Sequence, residues 1–150
     1  MRTLGLVFVA WALSACASGP ADPSLDAEAK LFRAPADKAC IYIVPSSRTQ
    51  AVTITMDGRK IGTIAKENYL RLDVAPGRHV LGVTGASPVP AFFRTTHDDA
   101  TVNAVAGQCY FLRTAWTDSG ETWREFRLYL EAMTEEEGHR AVNVLWRALP

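Results

Sequence analysis

Val52, Ile54 and Met56 alternate with Thr53 and Thr55, after which Asp57-Gly58 supplies the pair that a two-residue hairpin turn demands and residues 61–64 open a return strand. A period of two puts successive side chains on opposite faces of a pleated strand, so the stretch commits to a half-buried β-hairpin. The same pattern continues downstream. Leu70, Leu72 and Val74 alternate with Arg71 and Asp73 before Pro76-Gly77, whose glycine suits the positive φ of a type II turn, and another strand follows over residues 79–84. Residues 101–105, the turn Ala106-Gly107-Gln108 and residues 109–116 read as a second hairpin. Residues 122–133 read as the last strand, with Trp123, Phe126, Leu128 and Leu130 as apolar surface. Between these, residues 85–99 carry Pro88, Pro90, the pair Phe92-Phe93 and a polar Thr95-Thr96-His97-Asp98-Asp99 run, which reads as a long loop.

The end of the chain changes period. Thr134 followed by Glu137 forms a capping box, and Ala141, Val144, Leu145 and Ala148 recur at helical spacing, so one amphipathic helix is expected to pack on the sheet. Gly138 weakens that helix modestly. About seven or eight short strands and one C-terminal α-helix, with no alternation of strand and helix, indicate a mainly β fold, an antiparallel β-sandwich.

The start of the chain is of another kind. Arg2 precedes an apolar run from Leu4 to Leu13, and Leu13-Ser14-Ala15-Cys16 closes it with small residues where a peptidase needs thin side chains. This layout is that of a signal peptide, and it is too short for a bilayer span, which takes about 20 apolar residues. Leu13-Ser14-Ala15-Cys16 resembles the lipobox of bacterial lipoprotein precursors. The resemblance implies a diacylglyceryl group on Cys16 and a second acylation of the new amine, and two chains make a stable anchor. Ala17 stands where many enterobacterial lipoproteins carry an inner-membrane retention Asp, which favours the periplasmic side of the outer membrane. The expected organisation is a signal peptide over 1–15, a lipidated tether over 16–37 and the β domain over 38–150. In the tether only Leu25, Leu31 and Phe32 are large and apolar, enough for a short docking segment at its end.

Removing fifteen residues from 150 leaves 135, one domain with room for a core. The 16 basic and 16 acidic residues cancel, and losing Arg2 leaves a net charge of −1 with no block of like charge, which argues against nucleic acid as a partner. With Cys16 assigned to lipid, Cys40 and Cys109 remain. An exported chain meets an oxidising compartment, and both cysteines open apolar, aromatic strands, so a Cys40–Cys109 disulfide between neighbouring strand ends is expected. No C-x-x-C spacing supports a metal or redox site.

Asp26-Ala27-Glu28-Ala29-Lys30-Leu31-Phe32, Ala39-Cys40-Ile41-Tyr42-Ile43, Asp57-Gly58-Arg59-Lys60-Ile61-Gly62, Tyr69 with Ala75-Pro76-Gly77-Arg78-His79, and Ala106-Gly107-Gln108-Cys109-Tyr110-Phe111 occur in order. Together they resemble the bacterial lipoprotein family catalogued as domain of unknown function number 2846, over residues 26–136, and their hairpin pieces are also similar to PEGA-type surface modules. The chain departs from the family at Val44-Pro45, where Tyr and Arg commonly follow. The resemblance implies a compact β domain on a lipid anchor in the cell envelope, and it carries no catalytic residues.

No catalytic constellation or cofactor motif stands out. Ser46-Ser47 and Ser119-Gly120 lack a G-x-S-x-G elbow, and no glycine-rich phosphate loop is present. His79 beside its turn reads as a packed or edge histidine. His97-Asp98-Asp99 has metal-ligand chemistry, but consecutive residues of an extended chain cannot all converge on one ion. Glu135-Glu136-Glu137 is accounted for by the helix macrodipole. Trp116, Trp123 and Trp146 are apolar surface for a core or an interface. Phe92 and Phe93 point in opposite directions from an extended segment, so one ring is expected to be exposed as a partner contact. The leading expectation is a non-enzymatic, lipid-anchored binding or scaffolding domain with an envelope protein partner. The competing one is a small periplasmic hydrolase or metal-binding protein using the His97/Asp98 loop and His79.

Overall fold

The computed structural model describes residues 22–47, 51–85, 94–118 and 125–150. Cys16, Phe92, Phe93 and Trp123 lie outside the described residues. Two sheets pack face to face as a β-sandwich, flanked by helix α1 (Pro23–Ala29) and helix α2 (Glu135–Asn143). The strands are β1 (Ala39–Val44), β2 (Ala51–Met56), β3 (Arg59–Ala65), β4 (Asn68–Val74), β5 (Gly77–Gly85), β6 (Arg94–His97), β7 (Ala100–Ala104), β8 (Cys109–Asp118), β9 (Glu125–Ala132) and β10 (Trp146–Arg147). One sheet runs β10-β4-β1-β8-β9-β6 and the other β3-β2-β5-β7.

The β2–β3 hairpin forms as its sequence demands. Met56 faces Arg59 across a two-residue turn in which Asp57 (φ 51°) and Gly58 (φ 79°) both take positive φ, the conformation whose twist matches the flanking strands. Val52, Ile54 and Ile64 then point into the sandwich beside Ile41, Ile43, Leu70, Leu72, Leu81, Val83, Leu112 and Leu128.

Four expectations need correction. Ala106-Gly107-Gln108 does not close a hairpin, because β7 belongs to the four-stranded sheet and β8 to the six-stranded one, and the expected turn at Pro76-Gly77 likewise leads from β4 in the six-stranded sheet to β5 in the other. These turns are the corners at which the chain changes sheet. The four-stranded sheet is antiparallel throughout, whereas β1–β8, β4–β10 and β6–β9 pair in parallel. Periodicity sets which side chains face inward and leaves strand direction to the connections. Within the segment expected to be a loop, residues 94–97 are a strand on β9, and β10 adds another, giving ten strands among the described residues. Finally, α2 stops at Asn143. Gly138 and Val142 are its buried residues, Val144 is 83% exposed, and Ala148 bonds to the sheet through its amide to Tyr69 O (2.7 Å).

Candidate functional site

β1 is buried from end to end, which requires cover on both faces of its sheet. Its inward residues Ala39, Ile41 and Ile43 join the sandwich core, while Cys40, Tyr42 and Val44 project into a second apolar layer with Tyr69, Phe111, Ala29 and Val142. That outer layer is built by the two ends of the chain.

The N-terminal end starts at Asp22, whose carboxylate caps α1 by accepting from Ser24 N (2.8 Å), with Pro23 preset at the first helical position. α1 and the turn that follows it dock through Ala29 and Phe32; Leu25 and Leu31 stay 40% and 57% exposed, so the docking residues are not simply the largest apolar ones. Tyr42 Oη donates to Ala29 O (2.6 Å), closing the last turn of the helix onto β1. Arg71, 6% exposed, donates from Nη2 to Arg33 O (2.8 Å), pairs with Asp73 (3.1 Å) and lies 5.7 Å from the centre of the Tyr42 ring. An arginine on an apparently polar strand face thus holds the chain that leaves α1.

Asp26 is the hub of this dock. Its Oδ1 accepts from Tyr69 Oη (2.9 Å) and Arg147 N (2.8 Å), and its Oδ2 pairs with Lys30 Nζ (2.8 Å). Partial burial opposes ionisation of Asp26, but the bonds from Lys30, Tyr69 and Arg147 outweigh it and hold the carboxyl below the usual carboxylate range. Burial, and then the hydrogen bond to Asp26 and its charge, push the Tyr69 phenol up, so Tyr69 acts as a hydrogen-bond donor. One carboxylate therefore joins α1, β4 and β10.

The aromatic layer above is continuous. Tyr42 stacks on Phe111 (5.0 Å between centroids), Phe32 meets Phe111 edge-on (6.0 Å), and His139 of α2 stacks on Phe32 (3.8 Å). The Cys40–Cys109 disulfide lies at the end of this layer, between directly paired residues of β1 and β8 whose Cα atoms are 4.5 Å apart. The neighbouring strand ends expected from the sequence are thus present, and the bond closes 69 residues of separation.

The histidines are dispersed. His79 Nδ1 bonds Asp57 Oδ2 (2.9 Å) and its Nε2 bonds Ala75 O (2.8 Å), so it ties the β2–β3 turn to the β4–β5 corner. Both partners are acceptors, and both bonds form together only when the ring carries two protons. The Asp57 bond and then the Ala75 carbonyl raise the His79 pKa, while the Val80 amide and His79 lower that of Asp57. His97 is exposed at the end of β6, and Asp98 turns to Arg127 (3.4 Å). The structure therefore does not bring His79 to His97 and Asp98, and no group of three metal-ligating side chains converges among the described residues. Glu137 completes the capping box with Thr134, accepting from Thr134 N (3.0 Å). Trp116 packs partly against the sandwich core, and Trp146 is 48% exposed on β10. Among the described residues no helix is long and apolar enough to cross a membrane.

The family model described as protein of unknown function DUF2846 matches residues 35–124. The matched stretch contains β1 to β8 and both disulfide cysteines, while α1, the Asp26 hub and α2 fall outside it. No curated protein matches the chain.

Proposed function

This chain belongs to the DUF2846 family, and from that premise we propose that it is a lipid-anchored cell-envelope protein whose β-sandwich binds or scaffolds another envelope component without catalysis. The observation that carries this reading is the spacing between anchor and dock. Cys16, at the end of the lipobox-like Leu13-Ser14-Ala15-Cys16, stands six residues before Asp22, the cap of a helix bonded to the sheet through Asp26. A chain held by lipid at Cys16 would transmit tension through α1 to β4 and β10, and the outer layer supports such a load with the Asp26 and Arg71 bonds. The Asp that would retain the protein at the inner membrane is replaced by Ala17, which supports the periplasmic side of the outer membrane. The Phe92-Phe93 pair, between Pro90 and a polar run, is the proposed partner contact.

The test is metabolic labelling with palmitate in the native host. The wild-type chain should take up label and fractionate with the envelope, and Cys16→Ser should remain an unlabelled precursor, because only the thiol accepts a diacylglyceryl group. Label persisting in Cys16→Ser would refute the anchor.

A further inference from the structure

The described residues include six exposed large hydrophobic side chains, and four of them, Leu25, Val144, Trp146 and Leu149, belong to α1 and the terminal segment running beside it. Those two segments are bonded together: Arg147 N donates to Asp26 Oδ1 (2.8 Å) and Arg147 Nη1 to Leu25 O (3.4 Å). Trp146 N donates to Glu67 O (3.2 Å), which fixes the same segment at the β3–β4 corner. The four residues thus flank one corner of the sandwich, around edge strand β10. Val105, by contrast, sits in the turn before β8, where Gly107 N donates to Lys38 O, at the opposite end of β1.

We propose that this corner is a membrane-contact surface, seated in the interfacial region of the bilayer that holds Cys16. The inference rests on the anchor reading above, and the length of chain outside the described residues selects the occupant. Five residues lie between Cys16 and Asp22, and a fully extended chain spans at most about 3.6 Å per residue, so α1, which starts at Pro23, begins within about 25 Å of the anchored Cys16. α1 is fixed to the sheet by Asp26 and Tyr42, so the chain coming from Cys16 enters the domain at this corner. The corner carrying Leu25 and its neighbours is therefore the part of the domain held closest to the anchored end of the chain. Its chemistry fits that place, because tryptophan favours the headgroup level and leucine and valine the acyl boundary just beneath. An exposed Val144 and a half-exposed Trp146 are then partnered by lipid and not by solvent.

Bromolipid quenching of tryptophan fluorescence tests the contact. The lipidated protein is reconstituted into vesicles of phosphatidylethanolamine and phosphatidylglycerol with brominated acyl chains, alongside Trp146→Phe, the double variant Leu25→Ser/Leu149→Ser, and Val105→Ser as a control. The wild type should be quenched, Trp146→Phe should lose most of that quenching, and Leu25→Ser/Leu149→Ser should lose it while still floating with the vesicles. Val105→Ser should behave as wild type. Flotation with equal quenching in wild type and Trp146→Phe overturns the surface and leaves the anchor standing. Failure to take up palmitate and to float overturns both. A detergent-stable dimer dissociated by Leu25→Ser, without bromolipid quenching, would assign the corner to a second copy and likewise overturn the proposal.

Discussion

Replacing Gly138 by alanine sets two familiar effects against each other. In a helix interior alanine is favoured over glycine by about 1 kcal/mol, so propensity alone has Gly138→Ala stabilising α2. The structure reverses that sign. A Cβ at position 138 would meet Cγ, Cδ1 and Cβ of Phe111, all inside contact distance, and these atoms are the root of the side chain and cannot swing aside. Nor can the ring withdraw, because it is 4% exposed, stacked on Tyr42 and edge-on to Phe32 and His139. Overpacking of this kind costs about 1–3 kcal/mol, and the wedged ring puts the cost at the upper end, leaving a net loss of about 1–2 kcal/mol. The check is urea unfolding of the oxidised protein, run as a double-mutant cycle with Phe111→Ala. That substitution alone should cost about 3–5 kcal/mol. In its background the obstacle is gone, so Gly138→Ala should become neutral or stabilising, with a coupling of about 2 kcal/mol or more. A raised midpoint for Gly138→Ala in the otherwise native protein, or an equal loss in both backgrounds, would refute the close approach of α2 to β8.

Removing the disulfide with Cys40→Ala/Cys109→Ala should cost about 2–5 kcal/mol in the same assay, because the bond constrains a long loop of the unfolded chain; rapid alkylation of both native thiols would contradict its presence. The His79–Asp57 pair predicts a pH dependence with a definite sign. His79 is raised above its ordinary 6.5, so its contribution is complete below that value and fades as pH climbs through the raised folded pKa; Asp57 is lowered from 3.8, so its contribution holds above that value and fails as pH falls through the lowered one. The stability advantage of wild type over His79→Gln should therefore be greatest between these values and shrink on the alkaline side, and an advantage that grew with pH would refute the doubly bonded ring. Phe92→Ala/Phe93→Ala should move stability by less than about 1 kcal/mol while reducing co-purification of envelope partners, whereas a loss of several kcal/mol would make the pair core.

What the sequence conveys about this fold divides along the reach of the interactions. The β2–β3 turn was legible because Asp57 and Gly58 satisfy it locally, and so was the capping box of Thr134 and Glu137. The disulfide was legible from compartment chemistry and from two cysteines opening similar strands. The corner at Gly107 reads as a hairpin in the sequence because turn residues specify a reversal and not the sheet that receives the next strand, and the turn at Gly77 is equally silent about the change of sheet. The outer layer was hidden more deeply. In β4, Arg71 alternates with Leu70 and Leu72 and so looks like the solvated face, yet it is buried because the segment leaving α1 covers that face and offers it the Arg33 carbonyl. One signal did point to the cover: Ala39–Val44 is apolar without alternation, as a strand buried on both faces must be. It could not say what does the covering. Asp26 reads locally as an acid in a first helical turn, and Lys30 is its local partner, but its other donors lie 43 and 121 positions away in Tyr69 and Arg147. Only when those distant donors converge does the terminal strand come to lie beside α1, with Arg147 reaching both the Asp26 carboxylate and the Leu25 carbonyl.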